Sequence, residues 1–219
     1  SYGIWEAWSL ISALAAVTER IRIGPHVLCA SWRNPALIAK MADTVDETSN
    51  GRFILALGAG WHEPEYRAFG FPFDHRIGRF AEALEIISSL LRTGSSSFDG
   101  QFYQTDDCEL RPRGPSLDGP PIMIGTIAGT PLGGWLGIER GGDRMHDLVA
   151  RYADIWNCPI VNDPALIPGI REMIDTACAR NGREPDSLIR TNGVAFDLPG
   201  WEATSGNPNV RERRQAMGA

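Results

Sequence analysis

The stretch Arg33–Trp61, RNPALIAKMADTVDETSNGRFILALGAGW, decides how the chain folds. Asn34 followed by Pro35 has the form of a helix N-cap with proline in the first turn. The helix runs to about Ser49, with Leu37, Met41 and Val45 on one stripe. Asn50-Gly51 is its stop signal, because both residues accept the left-handed backbone that ends a helix. RFILALG (52–58) is a near-continuous apolar run, the pattern of a strand buried on both faces and therefore of a parallel sheet.

Working outward, the same alternation continues. Residues 5–18 are helical by composition, with Leu10, Leu14 and Val17 on one stripe. IRIGPHVLCA (21–30) is a strand interrupted by Gly24-Pro25. A helix over about 75–92 carries Phe80, Leu84, Ile87 and Leu91 at helical spacing, with Glu82 and Glu85 facing out. Residues 94–113 read as an inserted β-hairpin with an Asp-Gly turn. PPIMIG (120–125) is a short strand, followed by a Gly-rich loop at about 126–142. Helix 144–153, strand DIWNCPI, helix 164–181 and strand 188–198 complete the series. Alternating helices and buried strands mean parallel βα units, in either a doubly wound sheet or a (β/α)8 barrel. In the barrel reading the first two strands and the last are lacking from residues 1–219, so the chain is expected to be a partial single domain.

Composition narrows the class. Of 219 residues, 43% are hydrophobic and 22% charged, which suits one globular domain. A formal net charge of −6 provides no basic field, so neither nucleic acid nor an anionic membrane surface is an expected partner. No apolar run approaches the ~20 residues of a membrane span. Cys29, Cys108, Cys158 and Cys178 are dispersed and form no CxxC, as in a reducing cytoplasm.

Chemistry in parallel α/β folds gathers at the carboxyl ends of the strands. At the first such end, Gly24-Pro25-His26 marks a bulge that either shelves a flat ring or merely packs His26 inside. At the second, Gly58 and Gly60 permit close approach to the backbone, and Trp61 and His62 suit the wall of an aromatic ligand. Glu63-Pro64-Glu65 has the form of a helix start, and Glu63 is also placed to move a proton. At the third, Gly141 and Gly142 precede a helix and suit a phosphate, although a plain surface loop has the same composition. At the fourth, Trp156 and Asn157 either line a pocket or pack in the core. No motif with metal-ligand spacing is present in the sequence.

With these residues in view, the chain resembles the luciferase-like monooxygenase superfamily, the bacterial-luciferase-type flavin enzymes and their coenzyme F-420-dependent relatives. The matching segments, in the family's order, are ALAAVTERIRIGPHVLCASWRNPALIAKMADTVDETSNGRFILALGAGWHEPEYRAFGFPF, RFAEALEII, FDGQFYQ, PPIMIG and ARYADIWN. The resemblance implies a TIM barrel with the cofactor ring at the carboxyl ends of its strands. It implies reduced coenzyme F-420 (a deazaflavin) or FMN as cofactor, and hydride transfer or oxygen activation on a small organic substrate. It puts a non-prolyl cis peptide at His26–Val27, against the ring. It makes Glu63, with His62, the proton-transfer candidate. It gives the phosphate to backbone at Gly60, Trp61 and His62 on one side and at Gly125, Gly141 and Gly142 on the other. TIAGTPLGGWLGIER (126–140) departs from the family, whose members make a short glycine turn there. A homodimer is the expected assembly. The rival readings are a non-catalytic flavin-binding or interaction remnant of the same fold, and a doubly wound binding domain.

Overall fold

A computed structural model describes residues 5–126, 142–158, 161 and 163–193. Gly141, nearly all of the Gly-rich loop and the tail beyond 193 lie outside the described residues.

Helix α1 (Ala7–Val17) is capped by the Glu6 carboxylate, which accepts from the Trp8 and Ser9 amides at 3.0 and 2.7 Å. Strand β1 (Leu28–Cys29) leads through a single turn, Ala30–Trp32, into α2 (Pro35–Ser49). Asn34 caps α2 by accepting from Ala36 N at 2.9 Å, and Asn50 ends it in the left-handed region at φ 54°. Arg52 then reaches back to α1, donating to the carbonyls of Ala15 and Ile21 at 3.1 and 2.7 Å. It thereby satisfies carbonyls at and beyond a helix end that has no basic residue of its own. Strand β2 (Leu55–Gly58) is followed by α3 (Glu63–Phe69) and α4 (Arg76–Thr93).

Strands β3 (Ser95–Asp99) and β4 (Gln104–Glu109) form the inserted antiparallel hairpin. Glu82 is a departure from the sequence pattern: it does not face solvent but clamps the hairpin tip. Its carboxylate accepts from the amides of Gln101, Phe102 and Tyr103 at 2.9, 2.8 and 3.0 Å. The remaining elements are β5 (Ile122–Gly125), α5 (Gly142–Tyr152), β6 (Ile155–Cys158), α6 (Ile167–Arg180) and β7 (Ile189–Asn192).

The main sheet has the order β1-β2-β5-β6-β7, and every adjacent pair is parallel. Strands follow one another in chain order without reversal, as in a winding barrel and unlike a doubly wound sheet. The fold is of the α/β-barrel type. Leu55, Leu57, Ile122 and Ile124 are fully buried between the sheet's neighbours and helices that contribute Ile38, Phe80, Leu84, Ile87 and Leu91.

The helix faces chosen by the fold differ from two sequence stripes. On α1 the buried residues are Trp8, Ile11 and Ala15, while Leu10, Leu14 and Val17 stay exposed at 47%, 46% and 76%. On α2 the core side is Ile38, Ala39, Ala42 and Val45 with Met41 packed against it, so that of the sequence stripe only Leu37 is exposed. Asp43 and Asp46 are buried on α2 as well. They accept from the amides of Gly114 and Ser116 at 2.9 and 3.3 Å, which ties the 113–116 loop to the helix. Among the described residues no helix is long and apolar enough to cross a membrane.

Candidate active site

The approach to β1 is where the sheet departs from regularity. Ile23 bridges Phe53 and Leu28 pairs with Leu57, so five steps along one strand oppose four along the other. The extra residue is a bulge. Gly24 makes it possible, since a Cβ there would stand 2.3 Å from the Ile54 carbonyl oxygen. The His26–Val27 peptide is cis, at the place that the family resemblance gives it. His26 is exposed at this bulge and not packed inside.

Val27 projects over the neighbouring strand ends. A Cβ on Gly58 would meet Val27 Cγ2 at 2.9 Å, and one on Gly125 would meet Val27 Cγ1 at 3.0 Å. These two glycines therefore make room for a side chain of the protein itself, where the sequence suggests room for a ligand. Val27 remains 37% exposed.

The β2–α3 turn is held from behind. Gly60 has φ +75°, and a Cβ on it would stand 2.1 Å from the Tyr66 hydroxyl and 2.6 Å from Cys29 Sγ. Tyr66 is fully buried, edge-on to Trp32 and Phe73 at ring separations of 5.8 and 5.1 Å. Its hydroxyl donates to the Ala59 carbonyl at 2.9 Å. With that single proton committed, the Cys29 thiol is the donor in the 2.9 Å contact between Cys29 Sγ and Tyr66 Oη. Burial, reinforced by the Cys29 contact, pushes the Tyr66 phenol far up. Burial likewise pushes the Cys29 thiol up. Both groups therefore keep their protons near neutrality and act as donors. Arg76 Nη1 donates to the Gly60 carbonyl at 2.7 Å, with its guanidinium 4.4 Å over the Phe73 ring.

Two consecutive carbonyls are thus tied back to the protein. In a trans peptide the C=O and the following N–H point in opposite directions. The Gly60 and Trp61 amides therefore point away from Tyr66 and Arg76, and among the described residues neither donates to any acceptor.

The structure thus brings Val27, Gly58 and Gly125 together across adjacent strand ends, while Gly60 lies against Tyr66 and Cys29. Trp61 is 47% exposed, with its ring 5.2 Å from that of His62. His62 Nδ1 lies 3.5 Å from Glu65. Glu63 opens α3 and pairs with Arg67 at 2.7 Å, one turn on, with 43% of its side chain exposed. This is helix-start geometry, facing the helix's own surface. Gly142 opens α5, while its partner in the phosphate reading, Gly141, is outside the described residues. Trp156 and Asn157 are buried: Trp156 lies edge-on to His146, and Asn157 donates to Thr191 Oγ1 at 2.9 Å. They are packing residues. Tyr66, Cys29 and Arg76 are not singled out by the sequence. The one available signal is a tyrosine six residues beyond Gly60, one turn into the following helix. Among the described residues, no group of three or more His, Cys, Asp and Glu could hold a metal ion.

A parallel sheet wound in chain order, with a bulge at the approach to its first strand, defines an α/β-barrel protein. Residues 1–195 match the model of the family described as luciferase-like monooxygenase. The chain belongs to that family. It is 35% identical over 193 residues to pyrimidine monooxygenase RutA of Methylorubrum populi, covering 84% of this chain and 46% of the relative. The corresponding protein of Rhizobium rhizogenes is 35% identical over 191 residues, covering 84% and 48%. The chain spans about half the length of these curated relatives. Among solved structures, the coenzyme F-420-dependent tetrahydromethanopterin reductase of Methanopyrus kandleri aligns with a TM-score of 0.73 at 19% identity, covering 97% of this chain and 64% of that one. A monooxygenase of Streptomyces bottropensis aligns with a TM-score of 0.72 at 19% identity, covering 96% and 61%.

Proposed function

We propose that this chain forms the cofactor-binding core of an oxidoreductase that acts on a small organic substrate with reduced FMN or coenzyme F-420. The observation that carries the proposal is the β2–α3 turn: two amides, Gly60 and Trp61, directed away from Tyr66 and Arg76, on the strand whose last residue, Gly58, lies under the partly exposed Val27. The amides suit an anionic phosphate arm, and Val27 with the adjoining His26 suits the face of a flat ring. Gly125, and beyond it Gly141 and Gly142, complete the phosphate side in this reading. The relatives at 35% identity are named monooxygenases, which favours oxygen activation over hydride transfer. The bound reduced ring supplies the electrons, while the protein orients it and moves protons.

Glu63, with His62 beside it, is the proposed proton-transfer residue. Its exposed pairing with Arg67 is the competing explanation. Glu63→Gln separates them. The proposal expects turnover to fall about a hundredfold with cofactor affinity unchanged. Unchanged turnover leaves Glu63 with the helix start alone. The cofactor is decided by titrating the protein with FMN and with coenzyme F-420 and following absorbance and fluorescence. Binding of neither removes the proposal.

The proposal extends to assembly and place. Helix α1 has no charged residue from Ala7 to Val17, so an apolar face remains beside Leu10, Leu14 and Val17. A second copy packed antiparallel covers that face and sets Arg20 and Arg22 of one copy near Glu6 of the other. Sedimentation equilibrium tests it, and a monomer at micromolar concentration refutes it. Four free cysteines accord with a cytoplasmic setting.

A further inference from the structure

We infer that the Tyr66 hydroxyl, supported by the Cys29 thiol, is a positioning group that aims the Gly60 amide at the anionic arm of the cofactor. The inference rests on the cofactor reading above and adds to it the residues that make the turn selective for a phosphate.

Nothing at this turn offers a charged side chain to the ligand from β1 or β2, whose last residues are Cys29 and Gly58. Recognition then depends on the direction of backbone N–H groups, and direction depends on what holds the carbonyls behind them. Ala59 O is held by Tyr66 Oη at 2.9 Å, and Tyr66 Oη is in turn held by Cys29 Sγ at 2.9 Å. Gly60 O is held by Arg76 at 2.7 Å. The same two groups leave no room for a side chain at residue 60, since a Cβ on Gly60 would stand 2.1 Å from the Tyr66 hydroxyl and 2.6 Å from Cys29 Sγ. Without the hydroxyl, the Ala59 carbonyl loses its partner, and the Ala59–Gly60 peptide is free to turn its oxygen toward the ligand side. An oxygen there repels a phosphate, whereas a ring without a phosphate does not sense it.

The test uses pairs of ligands that differ only by the anionic arm. These are FMN against riboflavin, and coenzyme F-420 against its phosphate-free deazaflavin nucleus. Dissociation constants are measured by fluorescence for wild type, Tyr66→Phe, Cys29→Ala and Cys29→Ser. In Tyr66→Phe the affinity for the phosphorylated ligand is expected to fall about three- to tenfold, the worth of one hydrogen bond. The affinity for the phosphate-free ligand is expected to stay within about twofold, a margin smaller than one hydrogen bond. Cys29→Ala is expected to show a smaller loss of the same preference, and Cys29→Ser, which keeps a donor, to restore it. A general packing defect lowers both affinities together, and that result overturns the inference while the cofactor reading stands. An unchanged ratio in Tyr66→Phe overturns it likewise. If Tyr66→Phe does not fold, an unchanged ratio in Cys29→Ala overturns it. If wild type binds neither phosphorylated ligand, the cofactor reading fails and takes the inference with it.

Discussion

Val27 fills the space above two strand-end glycines, and that steric claim can be tested by coupling. A methyl on Gly125 would stand 3.0 Å from Val27 Cγ1 and 3.4 Å from Cγ2; one on Gly58 would stand 2.9 Å from Cγ2. Ordinary carbon contacts lie at about 3.5–4.0 Å, so each substitution asks for about half an ångström or more. Val27 cannot yield by rotation, because its two methyls face the two glycines and turning one away drives the other in. The backbone cannot yield easily either, since all four residues of β2 are buried. Gly125→Ala should therefore cost about 2 kcal/mol, within the ~1–3 kcal/mol usual for overpacking. For a chain of this size that lowers the melting temperature by roughly 4–8 °C. In a Val27→Ala background the added methyl meets only the residue 27 Cβ at 3.9 Å, an ordinary contact. There the same substitution should cost less than ~0.5 kcal/mol, a coupling of about 1.5 kcal/mol. The cycle is read by equilibrium urea unfolding and by calorimetry of the four proteins. Equal costs of Gly125→Ala in both backgrounds would refute the reasoning, leaving the glycine to be explained by something other than Val27.

Further expectations follow from single sites. Gly24→Ala places a Cβ 2.3 Å from a backbone oxygen of the adjacent strand, where no side-chain motion can relieve it. It should cost about 3 kcal/mol, at the upper end of overpacking effects, with calorimetry as the check. Cys158 is 4% exposed, and burial pushes its thiol up to about 11 from an ordinary 9.0. Its folded value is raised, so the stabilisation is complete below pH 9.0 and disappears as pH climbs toward about 11. Across that window wild type should lose about 2–3 kcal/mol more than Cys158→Val, measured by urea unfolding at each pH. Parallel curves for the two proteins would contradict it.

The elements most legible in the sequence are those marked by local backbone chemistry. Asn34-Pro35 and Asn50-Gly51 bound α2 because an N-cap and a left-handed C-cap need only their own side chains and torsions. The hairpin and the buried strands are legible for similar reasons. The face a helix buries is less so when it is apolar all round. Helix α1 carries Trp8, Ile11 and Ala15 on one side and Leu10, Leu14 and Val17 on another, and only tertiary packing chooses between them. Glu82 has the pattern of a solvated residue, yet it serves three amides about twenty positions away. At the candidate site, Gly60 and Val27 can be located from the sequence and the family resemblance. That Gly58 and Gly125 accommodate Val27, and that Tyr66 restrains Ala59, depends on contacts between residues far apart in the chain.

These contacts set out how the proposed site is built. In the proposed reading its ligand-facing parts are mostly backbone: a bulge that carries Val27 and a positive-φ turn at Gly60. Their geometry is set by groups behind them, such as the Ile54 carbonyl under Gly24 and the Tyr66 hydroxyl under Gly60. A backbone site constrains the sequence at few positions, and mainly through size and torsion. The exposed side chains around it, His26, Trp61 and His62, are free to differ without disturbing it. If the proposed cofactor site is right, cofactor affinity should respond more strongly to Tyr66 and Gly60, which set the backbone, than to His26 and His62, as titration of the single variants with FMN and with coenzyme F-420 would show. Substrate choice should respond in the opposite order.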